Sequence, residues 1–171
     1  MTLTLVLAGW AAPGLNDMVQ RSQATSVINW LTTSVMFSRH AAVSLGTTVT
    51  LCPSRDGLTC GGKWHQGTIV FTDPNQNRIM DNNETLLQRF QYPLPNGTVT
   101  WRAFQNRQYL QLTSDGFTNF QNGSFVYCPA DRDTRFARQL IINMQGRARR
   151  ARDRNGNGIV EDSRGRDISC N

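Results

Sequence analysis

Lysine is almost missing from this sequence: of its 18 basic residues Lys63 alone is a lysine, and the formal net charge is +6. Histidine is scarce too, and His40 and His65 stand at no metal-ligand or catalytic-triad spacing from a partner. There is no Cys-x-x-Cys, no Gly-x-Ser-x-Gly, no His-Glu-x-x-His and no glycine-rich phosphate loop. Those absences argue against zinc ribbons, thioredoxin-like centres, serine hydrolases, zinc proteases and nucleoside triphosphatases, and an enzyme is not expected. Also missing is a long apolar run. Met1–Pro13, MTLTLVLAGWAAP, is uncharged but shorter than the about 20 residues a membrane span needs. No basic region precedes it, as a secretory signal would require. At 39% hydrophobic residues the chain can build a compact core but not a polytopic membrane protein.

Four cysteines are present, Cys52, Cys60, Cys128 and Cys170. Two structural disulfides in an oxidising compartment are the expectation. Three pairings are possible, and the simplest is Cys52–Cys60 with Cys128–Cys170. The first closes a turn-rich loop, Pro-Ser-Arg-Asp-Gly-Leu-Thr, and contributes roughly 2–3 kcal/mol on the chain-entropy model; the second contributes about 4 kcal/mol and pins the C-terminal tail. Disulfides require export, so the apolar start is expected to continue a segment lying upstream of Met1.

After Pro13, Leu15, Met18, Val19, Ser22, Ser26, Val27, Trp30, Leu31, Val35, Ala41, Ala42 and Leu45 recur at spacings of three and four. Asn16, Gln20, Arg21, Gln23, Asn29, Arg39 and His40 take the opposite face. A helix over about 2–45 follows, kinked at Pro13 and stopped by Gly46. Strand patterns fall near 47–53, 66–73, 85–91, 97–104, 107–113, 123–129 and 136–145, with turn signals at Asp56-Gly57, Pro93–Gly97, Asp115-Gly116 and Asn122-Gly123. The fold class is α+β: a helical segment, 1–46, and a β-domain, 47–171, built as an antiparallel sheet packed on the helix, with an Arg-rich tail over 146–171. Trp64, Trp101, Phe104, Tyr109 and Phe125 are read as core or sheet-surface residues.

The run Ala12-Pro13-Gly14-Leu15-Asn16-Asp17-Met18, then Arg39-His40-Ala41-Ala42-Val43 and Val49-Thr50-Leu51-Cys52-Pro53-Ser54, resembles the pilin-like family that contains GspH and FimT. Asp56-Gly57, Cys60, Trp64, Gly67, Ile69–Asp73, Asn122–Phe125, Cys128 and Gly146-Arg147-Ala148-Arg149 extend the likeness over almost the whole chain. The resemblance implies a long assembly helix bearing a β-domain, anchored once in the bacterial inner membrane with the β-domain in the periplasm, then incorporated with other major and minor pilins into a pilus or pseudopilus. Family members begin with a basic leader, a prepilin-peptidase site and an N-methylated phenylalanine. None of these can be assigned here, and the sequence reads as starting inside that helix.

Gly146–Arg154 is the sharpest local signal, with five arginines in nine residues. Extended backbone points Arg147 and Arg149 the same way, about 6–7 Å apart, which matches neighbouring phosphates of a nucleic-acid strand. Guanidinium grips phosphate in a bidentate fork that lysine cannot form. A GC-rich genome also favours arginine over lysine, but that does not explain the clustering. In FimT-like members a Gly-Arg-x-Arg motif at this place binds DNA during uptake for natural transformation. The resemblance therefore implies sequence-independent binding of double-stranded DNA through Gly146, Arg147 and Arg149, with Arg150, Arg152, Arg154 and Lys63 as auxiliaries. The alternative is a structural subunit without DNA binding, either a GspH-like pseudopilin of type II secretion or a FimU-like pilus-priming subunit.

No cofactor is implied other than calcium. Asp153, Asn155, Asn157, Gly158 and Glu161 fit the first nine positions of an EF-hand-like loop, with Arg164 where the twelfth ligand belongs. Asp73, Asn75, Asn77, Asp81 and Glu84 fit another, with Arg78 where glycine is wanted. The first reads as the better match, and both patterns also describe Asx-rich turns.

Overall fold

The computed structural model describes residues 3–170, with side chains from residue 14 onward. The expectations for the apolar start, Met1–Pro13, concern side chains outside the described residues. Helix α1 spans Leu3–Leu45 and continues through Pro13. Gly46, at φ 62°, ends it by entering the left-handed region that glycine adopts without steric cost. Among the described residues no helix is long and apolar enough to cross a membrane.

The face that α1 buries is narrower than the sequence pattern suggests. Ala24, Val27, Ile28, Leu31, Ser34, Val35, Ser38, Ala41 and Ala42 form one buried stripe at spacings of three and four. Ser34 and Ser38 tolerate burial because each hydroxyl donates to the carbonyl one turn back, Trp30 and Ser34 respectively. The expectation fails before residue 24: Leu15, Met18 and Val19 are 62%, 70% and 51% exposed, and Ser22, Ser26 and Leu45 also face outward. The helix still meets the β-domain there, where Gln20 donates to Asp131 and Arg21 stands over the Phe136 ring, but among the described residues nothing covers these outward side chains.

Eight strands follow: β1 Val49–Pro53, β2 Thr68–Thr72, β3 Leu86–Phe90, β4 Thr98–Ala103, β5 Leu110–Leu112, β6 Gly123–Cys128, β7 Arg138–Ile142 and β8 Ala148–Arg150. They form two four-stranded sheets, ordered β3-β2-β1-β5 and β4-β6-β7-β8, with every pairing antiparallel. Gly123 opens β6 and is not the turn residue that Asn122-Gly123 suggested. Both sheets share one core with α1, where Trp64, Trp101 and Phe125 pack together with ring centroids 4.3–6.3 Å apart. Phe104 is the exception among the expected aromatics, standing 63% exposed on a short 3-10 turn.

The disulfides pair Cys52 with Cys60 and Cys128 with Cys170. The second holds residues 152–170 across the outer face of the second sheet, where Val160, Ile168 and Cys170 pack against Val126 and Ala137. Replacing Cys128 and Cys170 by serine is expected to lower stability by about 4 kcal/mol, since the closed loop spans 42 residues. Trypsin should then cut after Arg152, Arg154, Arg164 or Arg166 well before it attacks the sheets. An unchanged melting midpoint with equal trypsin resistance would mean that side-chain packing alone secures the tail.

Candidate nucleic-acid interface

The arginine cluster lies on a sheet edge and not on a loose tail. Strands β7 and β8 are joined by a tight hairpin in which Gly146 N–H donates to the Asn143 carbonyl (3.0 Å) and Asn143 N–H to the Arg147 carbonyl (3.2 Å). The Asn143 side chain accepts from Arg147 N–H at 2.9 Å. Gly146 sits at φ 68°, the left-handed residue that a three-residue hairpin loop needs. Close packing makes the same demand. A Cβ at Gly146 would lie 2.3 Å from the Gly116 carbonyl oxygen and 3.2 Å from Arg39 Cδ. Arg39, from α1, donates to that same carbonyl at 3.1 Å. Gly146 is thus buried and cannot itself contact a ligand, which corrects its place among the expected binding residues. It seats the hairpin.

Register separates the arginines by face. Ala148 pairs with buried Ile142 and packs toward the core, Arg149 pairs with Ile141, and Arg150 pairs with Leu140. Alternation puts Arg149 on the outer face with Arg147, and Arg150 on the face toward the helix. There Arg150 donates to the Asn29 side chain at 2.6 Å. All five arginines of the cluster, Arg147, Arg149, Arg150, Arg152 and Arg154, are exposed, and Arg150 differs only in being held by Asn29. The two ion pairs among the described residues, Arg135–Asp133 and Arg166–Asp162, involve none of them.

Lys63 is not part of this constellation. It lines a cleft of about 700 Å³ beside β4, with Arg102 and Arg132, and β4 is three strands from β8 in the sheet, which is about 14 Å at the usual strand spacing. The structure instead adds two arginines that the sequence left unassigned. Arg21 of α1 and Arg138 of β7 line a cleft of about 510 Å³ with Arg150 and Arg152. Burial, and then the charge of Arg21, holds the Arg138 guanidinium below its ordinary pKa. No sequence signal connects Arg21 to Arg138, because helix packing brings them together.

The C-terminal loop expected to hold calcium is satisfied from within. Both Asp153 carboxylate oxygens accept, from Gly156 N–H and Gly158 N–H. Both Glu161 oxygens accept, from Arg154 N–H and Asn155 N–H. Among the described residues no three acidic, histidine or cysteine side chains are grouped so as to hold a metal.

The family model for the type II transport protein GspH matches residues 27–146. The chain belongs to the GspH/FimT family of pilin-like proteins. Its fold matches the crystal structure of the type IV minor pilin FimU of Pseudomonas aeruginosa (strain PAO1), with a TM-score of 0.63 at 18% identity, covering 90% of this chain and 99% of that one. A second crystal form of FimU gives a TM-score of 0.54 at 18% identity, covering 77% of this chain and 91% of that one. No curated protein matches the sequence significantly. A long N-terminal helix packed on antiparallel sheets is therefore a pilin-like fold, as the family resemblance implied. Family and fold are those of filament subunits of a type IV pilus or type II secretion pseudopilus. In such a subunit the uncovered Leu15, Met18 and Val19 have a physical use, because helices of neighbouring subunits can bury them.

Proposed function

We propose that this chain is a minor pilin that binds double-stranded DNA without sequence preference through its arginine hairpin, in support of DNA uptake for natural transformation. The observation that carries the reading is the pair Arg147 and Arg149, two residues apart where the hairpin enters the edge strand β8, both exposed and in no ion pair among the described residues. Arg152 and Arg154 continue the charge. The cluster offers forked donors to phosphate oxygens and no rigid element shaped to enter a groove, so backbone contacts without base readout are expected. The remaining partners are other pilins and, before assembly, the inner membrane, with the β-domain on the periplasmic side.

Four phosphate contacts give a slope of log affinity against log salt near −3.6, so affinity should fall about a hundredfold between 50 and 200 mM salt. Fluorescence anisotropy on a short labelled duplex measures this. Affinity that does not change with salt, or no binding at 50 mM, would overturn the proposal and leave the second reading. That reading is a structural pseudopilin of type II secretion or a pilus-priming subunit, and the exposed apolar face of α1 favours it because filament packing alone would explain that face.

A further inference from the structure

We propose that the cleft between α1 and the β7–β8 edge is a binding site for a phosphate group, separate from the pair Arg147 and Arg149. Four guanidinium groups line it: Arg21 of α1, Arg138 of β7, Arg150 of β8 and Arg152 just beyond that strand. Register explains why they meet. Leu140 pairs with Arg150, and the ladder runs on through the Ala151 N–H, which donates to the Gln139 carbonyl at 2.9 Å. That step sets Arg152 across from Arg138. Alternation then puts Arg138, Arg150 and Arg152 on the face toward the helix, where Arg21 lines the same cleft. Like charges directly opposite one another on neighbouring strands are destabilising. No carboxylate pairs with these four. The one that lines the cleft, Asp153, accepts through its two oxygens from Gly156 and Gly158 N–H. Both ion pairs among the described residues lie elsewhere, at Arg135–Asp133 and Arg166–Asp162.

Arg138 shows most plainly that an anion belongs there. It is half-buried, and its Nη1 donates to the Arg135 and Ala137 carbonyls at 2.8 and 2.7 Å. Among the described residues its Nε and Nη2 make no hydrogen bond, and a partly buried cation without a counter-ion is costly. Burial, and then the charge of Arg21, lowers its pKa, the direction expected where two cations adjoin without an anion between them. Arg150 is partly committed, since its Nη2 donates to Asn29, so Arg21, Arg138 and Arg152 are the principal donors. Guanidinium forks approaching from the helix and from the sheet suit the tetrahedral oxygens of phosphate, whereas a planar carboxylate serves one fork at a time. Buried Ile28 and Val160 also line the cleft, and a lower local dielectric strengthens the attraction. A backbone phosphate of nucleic acid and a free phosphate share this chemistry.

The test uses the 171-residue chain at constant ionic strength, with inorganic phosphate as the probe in calorimetric titration and in thermal melts. One phosphate per chain is expected, with Kd on the order of 1 mM. The melting midpoint should rise by about 3–6 °C at phosphate ten times Kd. Arg21→Gln and Arg152→Gln, at exposed positions, should each weaken binding about tenfold. The double variant Arg147→Gln, Arg149→Gln should bind phosphate as the parent does. Arg138 is a poor choice to mutate, since it also holds the Arg135 and Ala137 carbonyls. No heat and no midpoint shift in excess phosphate would overturn the proposal. A rise shared equally by the parent, Arg21→Gln and Arg152→Gln would overturn it too, because exclusion of phosphate from the protein surface stabilises any fold. Loss of binding in the double variant with none in Arg21→Gln would place the anion on the outer pair instead. A duplex titration of Arg21→Gln distinguishes the sources. A salt slope smaller by about 0.9 makes the bound group a nucleic-acid backbone phosphate, and an unchanged slope, or no duplex binding by the parent, makes it a free phosphate. The cleft therefore stands or falls separately from the DNA reading of the hairpin.

Discussion

Replacing Arg147 and Arg149 together by glutamine is expected to lower DNA affinity about a hundredfold at 50 mM salt and to halve the salt slope, from near −3.6 to near −1.8. Each arginine that neutralises one phosphate releases about one counterion, so removing two removes about half of the electrostatic driving force assigned to four contacts. Both side chains are exposed, one just before β8 and one within it, and the inward residue between them, Ala148, supplies the packing. The double variant should therefore melt within about 1 °C of the parent, as surface changes usually do. Anisotropy titrations of one duplex at several salt concentrations, with circular dichroism as the control of folding, measure both expectations. The matching change of Arg150 should have a smaller effect on DNA, because Asn29 already holds its guanidinium on the other face. Equal binding by parent and double variant would place any DNA contact elsewhere and leave the filament role standing alone.

The second large effect is expected from Gly146→Ala. Position 146 sits at φ 68°, and a Cβ there would lie 2.3 Å from the Gly116 carbonyl oxygen. Left-handed backbone costs a non-glycine residue about 1 kcal/mol, and overpacking against main chain costs about 1–3 kcal/mol more. A loss of about 3 kcal/mol lowers the melting midpoint by about 6–12 °C in a chain of this size. Gly156→Ala separates the two contributions, since Gly156 has φ 78° and nothing within 4 Å of the added carbon. It should lose only the backbone part, about 1 kcal/mol. If both variants melted alike, steric contact with Gly116 would have no role in seating the hairpin.

Local chemistry made much of this protein legible in its sequence. The helix end at Gly46 and the approximate places of seven strands follow from backbone sterics, side-chain character and turn residues, and the shortest-loop preference among three possible pairings matches the disulfides formed. Strand β8 was not legible, because Gly146–Arg154 contains no β-branched or aromatic residue and its extended form comes from pairing with β7. The same pairing decides which arginines are available. Periodicity put Arg147 and Arg149 on one face, but only packing against α1 draws Arg150 to Asn29, assembles Arg21 with Arg138, and sends Lys63 to the far edge of the sheet. Composition likewise marked two Asx-rich loops, the C-terminal one as the better match. What separates a ligand loop from a turn is whether its carboxylate oxygens stay free, and donors such as the Arg154 and Asn155 N–H groups are brought to Glu161 by the folded chain alone.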